Sequence, residues 1–213
     1  METDSFIQAL ADTAVPVRPL APPRARTAGW FAVAASYIAL VVYAVSPRPD
    51  LLAKLGEVRY LIEQLAALAT GVSAGLAAFT TIVPGRNPRV VLFPVLPLAL
   101  WLGSLAQGCV QTWVQVGASG LFLEPDWLCF PAIVLVGAVP AITMAVMLRR
   151  GAPLTPHVST ALGGLAAAAL GNFGLRLFHP QDASLMVLVW QVGAVFILTA
   201  ASASAGRFLL NWR

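Results

Sequence analysis

Hydrophobic residues occur in six long blocks, and short polar segments separate the blocks. The blocks cover residues 28–45, 61–83, 90–109, 127–148, 158–177 and 184–206. Each holds about 17–23 residues, enough for a helix to cross about 30 Å of hydrocarbon. A helix also satisfies its backbone hydrogen bonds internally, as the bilayer core requires. The pattern predicts an all-α membrane protein, a six-transmembrane-helix bundle over 28–206, with an N-terminal tail (1–27) and a short C-terminal end (207–213).

Composition agrees with a membrane protein and argues against a soluble domain. Of the 213 residues, 59% are hydrophobic and only 10% are charged, whereas soluble domains average about 25% charged residues. The net charge of +4 comes from cations at the ends of the apolar blocks. That position is typical of membrane topology, so the charge does not indicate direct nucleic-acid binding. Membrane lipid is the expected surrounding.

The placement of arginine and lysine predicts the orientation. If the tail is inside, the cytoplasmic segments carry Arg18, Arg24, Arg26, Arg86, Arg89, Arg149, Arg150, Arg207 and Arg213. The outer side then carries only Arg48, Lys54, Arg59 and Arg176. An excess of cations on the cytoplasmic side is the usual rule. Both termini are therefore expected in the cytoplasm of a bacterial inner membrane.

The tail is the one long polar segment, and its pattern favours a binding role. Ser5 and Gln8 have the spacing of a capping box, so a short helix is expected to start there and to end before Pro16. We interpret 5–14 as the segment that grips a partner and the proline-rich 15–26 as a stiff tether. A disordered leader without a role is the alternative. The partner-binding candidates are Phe6, Ile7, Leu10, Ala14, Pro16, Val17, Arg18 and Leu20.

Polar positions within the blocks give little sign of transport or catalysis. No acidic residue lies in the middle of a block, which weighs against the alternative reading, a small transporter or channel. Arg176 is expected to snorkel towards the outer surface. No phosphate-binding loop, paired metal-ligand motif or nucleophile elbow is present in the sequence. The sequence therefore predicts neither an enzyme nor a bound cofactor.

Small residues are concentrated in the second and fifth blocks. Gly71 and Gly75 form a GxxxG pair, and 163–174 is rich in glycine and alanine. Small residues let helices approach closely in lipid. Packing inside the bundle is the favoured interpretation, with a dimer seam or a substrate path as the alternative.

Two cysteines lie at the ends of blocks that the topology places on the outer side. Cys109 closes the third block and Cys129 opens the fourth, while His179 and Asp182 belong to another outer loop. These four are candidates for signal sensing. The thiols could form a disulfide in an oxidising periplasm, could join a soft-metal site of unknown identity, or could be small apolar residues at helix ends.

Several stretches resemble the NrsF-type family, the negative regulators of sigma factor F. The resemblance is carried by the tail pattern, by His179 with Asp182, and by the loop 148–156, Leu-Arg-Arg-Gly-Ala-Pro-Leu-Thr-Pro. It implies a six-span inner-membrane anti-sigma factor that holds an extracytoplasmic-function sigma factor, with a homo-oligomer left open. In that family paired outer cysteines are implicated in heavy-metal or redox sensing. Cys129 fits one position of the pair, and Pro180 stands at the other.

Overall fold

The computed structural model describes residues 3–14, 19–117, 129–151, 153–179 and 185–209. Within these ranges the regular structure is helical and no strand occurs. The helices are α1 (Thr3–Asp12), α2 (Pro23–Val45), α3 (Leu51–Lys54), α4 (Val58–Thr81), α5 (Val95–Val116), α6 (Cys129–Leu148), α7 (Pro156–Phe178) and α8 (Leu185–Leu209), with a 3₁₀ turn at Pro88–Leu92 before α5.

Five helical stretches in the described ranges are long and apolar enough to cross a membrane. They are Pro23–Val45, Val58–Thr81, Pro88–Gln115, Pro131–Leu148 and Pro156–Phe178. The last helix, α8, has 25 residues. Within it, Gln191–Gly206 forms an apolar stretch that is shorter than the five spans above. The expectation of an all-helical, multi-pass membrane protein is confirmed. The sixth crossing stays a prediction.

The long helices run alternately up and down, which defines two ends of the bundle. At one end the Thr81 hydroxyl near the end of α4 lies 2.9 Å from the Ser159 hydroxyl near the start of α7. The start of α2 lies there too, because Arg26 bonds to the carbonyl near the end of α6. At the opposite end, the Tyr60 hydroxyl of α4 donates to the Arg176 carbonyl of α7 over 3.0 Å. We call the first the tail end and the second the far end.

Helix α7 is the centre of the bundle and packs on α4, α6 and α8. In its membrane-spanning window 72% of the residues are buried, against 17% for α2. Close approach depends on small residues: a Cβ on Gly71 would fall 3.1 Å from Leu170 Cγ, and one on Gly164 would fall 2.6 Å from Ser202 Cβ. The interpretation of these glycines as internal packing positions is confirmed.

The tail-bearing helix α2 is held to α6 by side-chain donors that reach backbone acceptors. Trp30 Nε1 donates to the Pro140 carbonyl over 2.9 Å, and the Tyr37 hydroxyl donates to the Leu135 carbonyl over 2.9 Å. The Trp30 ring is fully buried and fills the space beside Gly75, where a Cβ would lie 2.9 Å from the ring. α2 therefore depends on a few strong contacts because little of its surface is covered.

Several helix boundaries differ from the apolar blocks, and two of the larger differences arise where a helix includes polar residues. α2 begins at Pro23 rather than at residue 28, because Arg24 and Arg26 lower the local hydropathy without interrupting the helix. α5 continues past Cys109 to Val116, since glutamine is a good helix former although it is polar. The prediction that Cys109 closes its helix is wrong.

Candidate partner-binding tail and buried charge cluster

Helix α1 carries an apolar stripe that the rest of the protein leaves uncovered. Phe6, Ile7 and Leu10 are 51%, 57% and 56% exposed, and no residue of this ten-residue helix is buried. Positions three and four apart share a helix face, so the three side chains form one continuous surface. An exposed stripe of this kind fits the groove of a partner protein.

The predicted start of the tail helix is wrong, and its predicted end is right. Thr3 and Asp4 already have helical conformation, so Ser5 lies inside the first turn and not at the N-cap position. At the other end the Thr13 hydroxyl donates to the Ala9 carbonyl over 2.9 Å. Ala14 follows the helix and is exposed.

The remaining tail candidates divide into described and undescribed positions. Pro16, Val17 and Arg18 lie outside the described residues. Leu20 is 42% exposed and lies at the base of the tail, beside the first turn of α2. Helical structure begins at Pro23, so the last part of the predicted tether, including Arg26, is rigid helix packed on the bundle.

The four signal-sensing candidates are only partly described. Cys109 lies within α5 and is 8% exposed, so its side chain is buried in the bundle near the far end, beside Arg59 and Glu63. Cys129 is the first residue of α6. His179 ends α7, where its N–H donates to the Leu175 carbonyl over 2.9 Å. Asp182 lies outside the described residues.

No metal-binding group is assembled by the part of the chain that the structure describes. Among those residues, no group of three or more histidines, cysteines, aspartates or glutamates could hold an ion. The alternation of the helices places Cys129, at the start of α6, at the same end as His179. The structure thus brings the backbones of Cys129 and His179 to one end of the bundle.

The far end contains a buried charge cluster that the sequence analysis did not predict. Glu63 of α4 is 2% exposed, and its carboxylate accepts a hydrogen bond from Arg176 Nη2 over 3.1 Å. Arg59 Nε, one turn earlier, lies 3.2 Å from the second carboxylate oxygen. The Arg176 guanidinium also lies 5.4 Å from the centre of the Tyr60 ring. The expected snorkelling of Arg176 is wrong, because its charge is neutralised inside the protein.

The charge cluster joins α4 and α7 to α5, the helix that carries the buried thiol of Cys109. Arg59 Nη1 donates to Gln111 Oε1 of α5 over 3.3 Å. The thiol of Cys109 in the same helix interacts electrostatically with Arg59 and Glu63. The i, i+4 spacing of Arg59 and Glu63 was a visible signal for a helical ion pair. Nothing in the local sequence signalled Arg176, which is 113 positions away from Glu63.

A second ion pair closes the far end outside the spans. Arg48, 3% exposed, donates from Nε and Nη2 to the two oxygens of Asp50 over 2.6 and 2.7 Å. These hydrogen bonds from Arg48 hold the pKa of the Asp50 carboxyl below its usual range. The backbone N–H of Arg48 donates to the Leu177 carbonyl over 3.0 Å, so the loop after α2 is fixed to the end of α7.

The tail end has a different electrostatic character. Segments 82–94 and 149–155 contain four arginines and no aspartate or glutamate. Arg26, 6% exposed, stacks on the Phe79 ring with 4.7 Å to its centre and donates through Nη2 to the Met147 carbonyl. Its other terminal nitrogen, Nη1, is buried and has no hydrogen-bond partner among the described residues.

Comparisons with known proteins give a family for almost the whole chain. The model of the NrsF family, described as negative regulator of sigma F, matches residues 10–212. No curated protein and no solved structure gives a significant match. The matched range begins within α1, at Leu10, and includes every membrane-spanning helix described above.

Proposed function

We propose that this chain, which belongs to the NrsF family of negative regulators of sigma F, holds an extracytoplasmic-function sigma factor through its N-terminal tail. Family membership implies an anti-sigma factor with a sigma factor as partner. The observation that supports the tail as the binding element is the stripe of Phe6, Ile7 and Leu10, which is more than half exposed at each position. The protein acts as a non-enzymatic regulator at the membrane.

The proposed orientation places the tail and the C-terminal end in the cytoplasm of a bacterial inner membrane, with six crossings. It is supported by the arginines at the tail end. It is also supported by α8, whose end lies at the tail end because Ala203 O is 2.8 Å from His157 Nδ1 near the start of α7. A tail on the cytoplasmic side can reach a soluble sigma factor.

Binding through a short helix explains how a small tail can sequester a large partner. A ten-residue helix is marginal alone in water, so the partner's groove would stabilise α1 as it binds. In helix-in-groove recognition a few apolar anchors supply most of the affinity. Phe6, Ile7 and Leu10 are those anchors in this proposal, and Asp4 and Asp12 lie on other faces of the helix.

The experiment compares two aspartate substitutions in the full-length protein. Ile7→Asp places a charge in the stripe, whereas Gln8→Asp adds the same charge on the opposite face of α1. Loss of a central apolar anchor costs about 2 kcal/mol or more, so Ile7→Asp should weaken sigma-factor binding by at least about 30-fold. The measurements are the affinity of the detergent-solubilised protein for the purified sigma factor and transcription from a sigma-dependent promoter.

Deletion of residues 1–14 gives a stricter test of the same proposal. It removes α1 but keeps α2 and its contacts, so the protein should still insert in the membrane. Transcription of the sigma regulon should rise to the level found without the regulator. If the truncated protein were present in the membrane and still repressed, another part of the chain would hold the sigma factor.

We further propose that a periplasmic stress signal, a heavy metal or an oxidant, releases the sigma factor. The support is the position of the buried thiol of Cys109 beside the far-end charge cluster. Cys109→Ala and Cys129→Ser should each reduce induction by cadmium or dichromate while basal repression stays intact. Induction equal to that of the native protein in both variants would reduce the two cysteines to packing residues.

A further inference from the structure

A groove at the tail end is formed by three chain segments that meet where the spans end. Residues 20–23 enter α2, residues 82–84 leave α4, and Arg150 with Gly151 follows α6; Arg86 completes the lining. The groove has a volume of about 430 Å³, within the range of about 300–1,000 Å³ that is typical of small-molecule sites. Ile82, Val83 and Leu20 make one side of it apolar.

The charged side chains among the described lining residues of the groove are both arginines. Arg86 and Arg150 line it, and Arg150 is near enough to repel the charge of the buried Arg26. No acidic residue is among the described residues that line the groove, and none occurs in segments 82–94 and 149–155. Cations that repel one another at close range are stabilised when an anion lies among them.

Arg26 adds a third positive charge next to the groove, one turn after Pro23, although it does not line the groove itself. It is 6% exposed, and its Nη1 has no hydrogen-bond partner among the described residues. Burying a charged donor without a partner is costly. The first turn of α2 beside it also has no side-chain cap, and the start of a helix carries partial positive charge.

The depth of the groove decides which anion reaches it. Its segments directly precede Pro23 or follow Thr81 and Leu148, which are the ends of three membrane-spanning helices. If these helices cross the bilayer in the proposed orientation, that level is the cytoplasmic headgroup region, where phospholipid phosphates are abundant. Basic pockets between spans on the cytoplasmic side suit anionic headgroups, and the apolar side suits the start of an acyl chain.

We propose that this groove binds the phosphate of one anionic phospholipid, held by Arg86 and Arg150 next to Arg26. The site lies at the base of the tail, so the bound lipid fixes the point from which the tail leaves the membrane. It does not depend on the sigma factor, and a variant that lacks residues 1–14 should retain it.

The test is a titration of the full-length, detergent-solubilised and delipidated protein with phosphatidylglycerol, with phosphatidylcholine as the comparison lipid. One phosphatidylglycerol should bind, and phosphatidylcholine should bind at least about tenfold more weakly. Arg86→Gln and Arg150→Gln should each weaken phosphatidylglycerol binding about tenfold, the effect of one lost charge-assisted hydrogen bond. Both arginines are exposed, so neither substitution should disturb folding.

Arg89→Gln is the matched control, because Arg89 is an exposed arginine of the same end that does not line the groove. It should change the affinity by about threefold or less. If Arg89→Gln and Arg150→Gln weakened phosphatidylglycerol binding equally, the proposal would be overturned, because the arginines would then attract the lipid only through their general positive charge. Equal affinity for the two lipids would overturn it as well. Inorganic phosphate at millimolar concentration is the last comparison. If it abolished the preference for phosphatidylglycerol over phosphatidylcholine, the groove would be a site for soluble phosphate and the lipid proposal would be overturned.

Discussion

At the far end of the bundle the two buried arginines, Arg48 and Arg176, each lie against a carboxylate. At the tail end the buried arginine, Arg26, lies against an aromatic ring and a backbone carbonyl. The far end is thus locked by ion pairs within the protein. The tail end instead presents exposed arginines, among them Arg86, Arg89 and Arg150, which suits the end that bears the proposed binding tail. The comparison shows that arginines can stabilise the bundle through internal ion pairs at one end and can be exposed to external anions at the other.

The largest expected effect is at the far end. Glu63→Leu would leave Arg176 buried without its carboxylate, and breaking a buried pair in this way costs about 3–5 kcal/mol. Thermal unfolding of the detergent-solubilised protein measures the loss. The double variant Glu63→Met with Arg176→Met should recover most of it, because the unpaired charge is gone. If the single variant lost less than about 1 kcal/mol of unfolding free energy, the ion pair would behave like a solvent-exposed one. The contrast between the two ends would then disappear.

An intermediate effect is expected from close packing at the tail end. A Cβ on Gly151 would fall 2.7 Å from Ile82 Cβ, and overpacking of this kind costs about 1–3 kcal/mol. Gly151→Ala should therefore lower the unfolding temperature and should also disturb the groove that Gly151 lines. Gly103→Ala is the control, since nothing lies within 4 Å of a Cβ there and alanine favours the helix. Equal stability of Gly151→Ala and the native protein would mean that the loop after α6 is loosely packed.

The smallest expected effect concerns the ion pair outside the spans. Hydrogen bonds from Arg48 lower the pKa of Asp50 in the folded protein. The ionised Asp50 therefore stabilises the fold above its unfolded pKa of about 3.9, and this stabilisation is lost as pH falls through the lower pKa of the folded state. Asp50→Asn should therefore be less stable than the native protein at pH 7, and the difference should shrink below about pH 4. Unfolding temperatures of both proteins over this pH range check it. A difference that does not change with pH would show that Arg48 does not act on the ionised carboxylate.

The sequence predicted most of the helices but not the partners of their polar residues. Apolar blocks located α2, α4, α6 and α7 because burial in lipid dominates their composition. Arg26 and Gln111 marked the ends of blocks although they lie inside helices. A hydropathy pattern treats every polar side chain as facing water, so it misplaced those two helix boundaries.

The candidate site was predicted where it depends on local pattern and missed where it depends on tertiary contact. The stripe of Phe6, Ile7 and Leu10 follows helical spacing and could be predicted from sequence. The far-end cluster joins Glu63 to Arg176 across 113 positions, and no spacing rule connects them. The buried state of Cys109 likewise depends on how α5 faces its neighbours.

The bonds between α2 and α6 have a consequence for how this sequence can change. Arg26, Trp30 and Tyr37 all donate to main-chain carbonyls of α6. Those acceptors exist whichever side chain α6 carries at each position. Substitutions in α6 that keep the helix can therefore accumulate without releasing α2, whereas the three donors have no such freedom. The hydrogen bonds that hold the tail-bearing helix to α6 are therefore specified by side chains of α2 alone.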